Sequence, residues 1–153
     1  MNVEIREATE QDLDPILSLY GQIGMDNGKV LPLDEAENLF TKIKSYPDYK
    51  FYAVVDDKHI IGTFSLLIMD NLAHMGAPSG ILEDVVVRED FRRRGIGRLM
   101  MNFAMERCRE RGCYKIALSC NMQRESAHFF YEALDFKRHG YSFVVDLAKG
   151  DLC

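Results

Sequence analysis

The sequence predicts an α/β fold, an α+β mixed sheet with helices on both faces, on three observations. Helical apolar spacing and short strand-like runs follow one another along the chain. Two apolar runs joined by a tight polar turn stand near its middle, and a Val-rich run leads through arginines and glycines into a long amphipathic stretch. The resulting order is β-α-α-β-β-β-α-β-α-β.

Val3-Glu4-Ile5-Arg6 alternates as a strand does, and Thr9 with Asp12 three residues on marks a helix start whose apolar stripe is Leu13, Ile16, Leu17 and Tyr20. Residues 21–32, rich in Gly, Asn and Asp, read as a loop. Ala36, Leu39, Phe40 and Ile43 then define a second helix ending before Pro47. Strands over 50–55 and 60–69 flank the turn Asp56-Asp57-Lys58-His59, and a further strand covers 81–87. The helix after Gly95 carries Ile96, Leu99, Met100, Phe103 and Ala104 on one face, widened by Met101, Met105 and Cys108, and Gly112 is its expected C-cap. A strand over 114–119, a short helix over 125–134 and a last strand from Tyr141 to Leu147 complete the order.

The chain has 153 residues and a formal net charge of -5, with room for a single domain over 1–153. Its apolar runs fall short of the roughly 18 residues a membrane span needs, and charge enters at Glu4, so no membrane segment or secretory core is expected and the location is cytoplasmic. The acidic balance argues against a nucleic-acid partner. Cys108, Cys113, Cys120 and Cys153 form no CxxC pair and have no companion His spacing, so no metal is expected and reduced thiols follow. Cys120 is readable as a nucleophile or as a small apolar filler.

Against this acidic background, "VREDFRRRGIGRLM" from Val87 to Met100 is anomalous. A strand, a short turn and glycines at a helix entry suit an anionic ligand, because helix-start amides point outward and carry partial positive charge. Gly95 and Gly97 let a diphosphate approach the backbone around Ile96, and Arg92, Arg93, Arg94 and Arg98 add forked cationic donors. The spacing fits neither an ATP-type phosphate loop nor a dinucleotide fingerprint.

Arg92-x-x-Gly95-x-Gly97 resembles the Q/R-x-x-G-x-G/A signature of the GNAT acetyltransferase superfamily, and it stands after the strand Val85-Val86-Val87, as it does in that family. Downstream, Asn121 and Phe130-Tyr131 resemble the family's Asn and tyrosine. Glu83 to Val87 and Gly112 to Ile116 look like glucosamine-6-phosphate N-acetyltransferases, whereas the pattern from Ser119 through Arg124 and His128 to Tyr131 is similar to aminoalkylphosphonate acetyltransferases. Asp135 replaces the glycine usual in the family, and Asp tolerates a left-handed helix exit.

The resemblance implies the GNAT acyl-CoA N-acyltransferase fold, acetyl-CoA as cosubstrate and direct transfer of the acetyl group to a primary amine. It gives Arg92 to Arg98 the diphosphate and the edge of Val85, Val86 and Val87 the pantetheine arm. It gives Tyr131 the departing thiolate. Glu83 and Asp84 are candidates to take the amine's proton or to hold its ammonium while water relays the proton, and strict alternation brings only one of them to a cleft unless a bulge intervenes. Asn121 would bond pantetheine, order water or simply form a turn. Arg124 and His128 would meet a substrate phosphate or phosphonate if they face the cleft. The acceptor is expected to be a small-molecule amine, with a protein or peptide amine and a non-catalytic CoA sensor as alternatives. A homodimer is expected because the family often forms one and the terminal strand offers an edge.

Overall fold

The computed structural model describes residues 1–148. They fall into two compact units, Met1–Ala117 and the chain from Leu118 onward.

The first unit contains β1 (Val3–Glu7), α1 (Leu13–Gln22), α2 (Leu33–Lys44), β2 (Tyr49–Asp56), β3 (His59–Met69), β4 (Ser79–Val87), α3 (Ile96–Glu110) and β5 (Lys115–Ala117). The strands form one sheet in sequence order, antiparallel except for the parallel pair β4–β5. At the β2–β3 hairpin Asp57 and Lys58 both have positive φ, 42° and 73°, which matches the twist a two-residue turn must carry. The entry to α1 is closed by Asp12, whose carboxylate accepts the Thr9 N–H at 2.7 Å and two Arg6 guanidinium bonds at 2.6 and 3.0 Å. Those donors hold the buried Asp12 carboxyl below its ordinary pKa, the Arg6 bond contributing most.

Helices cover both faces of the sheet. Phe51 and Tyr52 are neighbours on β2 and so point to opposite sides. Phe40 of α2 meets Phe51 edge-on at 6.5 Å, while Phe103 of α3 meets Tyr52 at 5.0 Å, with Phe64 stacked on Tyr52 also at 5.0 Å. Under α3 the core is Ile96, Met100, Met101, Ala104 and Cys108. Leu99, expected on that face, is 47% exposed, because the buried stripe follows 96, 100, 104 and 108 and leaves position 99 at its rim. α3 ends as expected: Gly112 has φ 72°, and the Cys113 N–H reaches back to the Cys108 carbonyl at 3.0 Å.

The second unit contains α4 (Glu125–Glu132), with Leu134 buried after it. Asp135 takes the left-handed conformation with φ 68°, and the Phe136 N–H closes on the Tyr131 carbonyl at 3.1 Å, so aspartate does at this exit what glycine does elsewhere. Two strand expectations change. The strand expected over 114–119 pairs at only three residues, Lys115 to Ala117. The strand expected from Tyr141 to Leu147 does not form among the described residues, since a strand exists only where a neighbour completes its hydrogen bonds and none pairs with this run.

Candidate active site

β4 is where strand regularity breaks. Thr63 of β3 faces Val86 and Ser65 faces Glu83, so two steps on β3 match three on β4. The extra residue is a bulge, and Asp84 within it has φ 51°. The Ser65 hydroxyl donates to the Glu83 carbonyl at 3.3 Å beside the bulge.

That geometry bears on the question alternation left open. Glu83 lies opposite Ser65, itself opposite Phe51, and therefore on the sheet face that α2 covers. The charge of Asp84 reaches Tyr20 of α1 and Tyr49 of β2, and the Tyr49 ring lies tilted against Phe51 of the same face at 5.4 Å. The bulge thus sets Asp84 within electrostatic reach of groups on the face where Glu83 lies. Although both residues are exposed, partial loss of water raises the pKa of each; the neighbouring Asp84 charge adds to the effect on Glu83, and Asp26 adds to that on Asp84.

Beyond Ile81, the side of β4 toward β5 has no strand partner among the described residues, because β5 pairs only with Ser79, Gly80 and Ile81. Val85 and Val87 are half-buried and Val86 is buried, so this open edge is backbone set in an apolar surround. A short 3-10 turn over Glu89–Phe91 then leads to α3. Arg93 and Gly95 have φ 60° and 80°, and no side chain caps the helix. The first amides of α3 thus lack an intrahelical acceptor, and a Cβ added at Gly95 would touch nothing within 4 Å. Ile96 is buried beneath the turn and anchors it, while Gly97 is half-buried. Arg92, Arg93, Arg94 and Arg98 are all exposed, and no described carboxylate forms an ion pair with them. The Arg92 Nε donates to the Val87 carbonyl at 3.4 Å, and the Arg94 guanidinium lies 5.0 Å from the Phe91 ring centre. An uncapped helix start, guanidinium groups with no carboxylate partner among the described residues and open space fit a diphosphate.

In the second unit, Tyr131 packs edge-on against Phe130 at 5.1 Å and Phe136 at 5.6 Å. Burial raises its phenol pKa, Cys120 adds to the effect and Arg124 opposes it. Asn121 makes the turn before α4, its Oδ1 accepting the Gln123 N–H at 2.8 Å. His128 donates from Nε2 to the Asn121 carbonyl at 2.8 Å, so its ring is held by its own unit, and Arg124 stands exposed at the start of α4. Cys108, Cys113 and Cys120 are free thiols; burial above all, with Cys113 beside it, pushes the Cys108 thiol up to about 12. Cys153 lies outside the described residues. Among those residues no group of three or more His, Cys, Asp or Glu side chains is placed to hold a metal ion.

The pattern of the Acetyltransferase (GNAT) family matches residues 15–136. The chain belongs to the GNAT acetyltransferase family. It is similar to a glucosamine 6-phosphate N-acetyltransferase of Arabidopsis thaliana, 31% identical over 119 residues, 76% of either chain. A protein of the same name from Trypanosoma brucei brucei is 27% identical over 154 residues, covering 96% of this chain and 97% of the relative. Among solved structures, a putative acetyltransferase from Agrobacterium tumefaciens str. C58 superposes with a TM-score of 0.87 at 29% identity, over 94% of this chain and 99% of the other. This GNAT chain is accordingly an N-acetyltransferase by family and relatives, and no helix among its described residues is long and apolar enough to cross a membrane.

Sequence reasoning missed Tyr20, Tyr49, Ser65 and Asp26 around the acid pair. Tyr20 fits the apolar stripe of α1 so well that its hydroxyl drew no notice. Asp26 sits in a loop whose composition signals only a turn.

Proposed function

We propose that the chain is an acetyl-CoA-dependent N-acetyltransferase acting on the primary amine of a small phosphorylated amino sugar or an aminophosphonate, by direct attack in a ternary complex. The observation that carries this reading is the bulged, half-unpaired β4, which sets Asp84 in a bulge beside Glu83 and leads from an open backbone edge straight into the arginine-rich start of α3. The relatives named glucosamine 6-phosphate N-acetyltransferases favour an amino sugar phosphate as acceptor.

Acetyl-CoA supplies the activated thioester. The chain binds and orients: the amides of Ile96, Gly97 and Arg98 with the guanidinium groups of Arg92, Arg93, Arg94 and Arg98 hold the diphosphate, and the open edge of Val85 to Val87 takes the amide-bearing arm. Asp84, with Glu83 beside it, receives the ammonium and removes its proton, directly or through water. Their raised pKa values bring them nearer the working pH, where a general base is most effective. Tyr131 protonates the departing thiolate, and Arg124 meets the acceptor phosphate. The Asn121 Nδ2 group, left over from its turn bond, hydrogen-bonds the pantetheine arm, and His128 stands with Arg124 toward the acceptor phosphate.

We further propose that residues 1–153 work as one cytoplasmic domain and that two copies form a homodimer. No metal, nucleic acid or membrane has a part in this reading.

The test is thiol release from acetyl-CoA, followed with a chromogenic disulfide over glucosamine 6-phosphate, aminophosphonates, polyamines and peptides. Turnover with the phosphorylated amino sugar or an aminophosphonate, and none with peptides, is the expected result. Peptide turnover alone would replace the acceptor class, and CoA binding with no turnover on any amine would make the chain a sensor.

A further inference from the structure

The end of α3 is closed by two backbone bonds. The Cys113 N–H donates to the Cys108 carbonyl at 3.0 Å, the Gly112 N–H donates to the Arg109 carbonyl at 3.0 Å, and Gly112 has φ 72°. A helix end of this kind brings the side chains of its two outer positions together over the last turn, where an apolar pair frequently stands. Here the two positions are Cys108 and Cys113, and both are free thiols. The backbone bond also limits their separation. From one Cα through the carbonyl oxygen and the amide nitrogen to the other, the path is at most about 7 Å when straight, and bending at each atom brings it within the span of a disulfide. The Cys113 side chain accordingly acts on the Cys108 thiol both as a charge and as a hydrogen-bond neighbour. Exposure separates the two. Cys108 is buried, with its sulfur filling the space over Gly80 of β4, whereas Cys113 is half-buried in the turn that leads to β5.

We propose that Cys108 and Cys113 are a dithiol modification site, which a small disulfide from solution oxidises to an intramolecular disulfide across the end of α3. The thiolate of Cys113, the more exposed of the two, attacks one sulfur of the small disulfide. A mixed disulfide forms on Cys113, and one small thiol leaves with the proton that Cys113 gave up. Cys108 then loses its proton and attacks the Cys113 sulfur, and the second small thiol leaves with that proton. Two cysteine thiols lose two electrons in all, and one small disulfide becomes two thiols. Burial above all, with Cys113 beside it, keeps Cys108 protonated at rest. In the mixed disulfide Cys113 carries neither a charge nor a thiol proton, so its part of that resistance is gone and the first step prepares the second. Closing the bond shifts the sulfur packed over Gly80, which pairs with Ile116, so the change is felt where α3, β4 and β5 meet. This site stands apart from the acetyltransferase reading, because the bond forms whether or not any amine is acetylated.

The experiment treats the full reduced chain with oxidised glutathione, alkylates the remaining thiols, digests with trypsin and reads peptide masses. Trypsin cuts after Arg107, Arg109, Arg111 and Lys115, so the bond shows as the dipeptide Cys108-Arg109 joined to the tetrapeptide from Gly112 to Lys115. The joined pair should come from the folded chain, and dithiothreitol should separate it. Cys108→Ala blocks the second step, so this variant should keep glutathione on Cys113. Cys113→Ser should leave the buried Cys108 unmodified while the chain is folded and open to glutathione in urea. Wild type that keeps glutathione on Cys113, or that joins Cys113 to Cys120 or Cys153, would overturn the proposal, because Cys108 then does not complete the reaction. A joined pair that appears only after unfolding in urea would make the two thiols a packing contact and end it as well.

Discussion

Asp84 has φ 51° inside a strand, a conformation that costs a residue other than glycine about 1–3 kcal/mol. Its charge is further opposed by lost water and by Asp26. A carboxyl whose folded pKa is raised gives stability that is full below its unfolded value and is lost as pH rises through the folded one. At neutral pH the ionised Asp84 is consequently a burden on the fold. Asp84→Asn keeps a residue that tolerates positive φ and removes the charge, so its Tm at pH 7 should be slightly higher than that of wild type. Acetyl transfer should fall about a hundredfold in kcat/KM if Asp84 is the base, measured by thiol release. Wild-type activity should be present above the acidic limb and disappear as pH falls through it, at a pH above the ordinary aspartate value of about 4. A variant that is stabilised and fully active would remove Asp84 from the chemistry. The sequence made Glu83 and Asp84 candidates through their place before Val85, but the setting of Asp84 depends on a one-residue register slip between β3 and β4. Register between two strands is a property of their pairing, so alternation along β4 alone does not reveal that slip.

At the scale of elements, α3 was legible almost to the residue. Gly95 and Gly112 bound it, both at positive φ, and the apolar spacing gave its buried face apart from Leu99. Periodicity does not say how closely a helix approaches its sheet. Here Gly80 of β4 sets the distance: a Cβ built on it would stand 2.3 Å from the Cys108 Sγ. Gly80→Ala must push α3 away from β4 or turn Cys108 out of its place, an overpacking cost of about 1–3 kcal/mol. Urea unfolding should show the loss as a lower midpoint with unchanged slope. The double variant Gly80→Ala with Cys108→Ala should recover much of it, since the clash is with one sulfur. If the single variant unfolds at the wild-type midpoint, the close approach is not a constraint. Because β4 carries the acid pair and α3 carries the arginines, the same contact bears on how well the open edge and the helix entry are placed.

At the scale of the whole molecule, strand and helix order could be read from the sequence up to α4, and the arginine–glycine motif pointed to the family that the GNAT match establishes. The run from Tyr141 to Leu147 marks the limit of that reading. Its composition is that of a strand, yet Tyr141, Phe143, Val144, Val145 and Leu147 are 76–92% exposed. A segment with this many bare aromatic and β-branched side chains is unfavourable in water, and it is the sort of surface that a partner covers. Strand propensity without a strand neighbour among the described residues is accounted for if the neighbour comes from a second copy, which is how the proposed homodimer would use it. Sedimentation should then give twice the chain mass for the full protein at micromolar concentration. A chain ending at Gly140 should sediment as a monomer, with the spectrum of the β1–β5 sheet retained because that sheet is complete without the segment. A truncated chain that still sediments as a dimer would place the interface elsewhere, and a monomeric full chain would end the dimer proposal while leaving the acetyltransferase reading untouched.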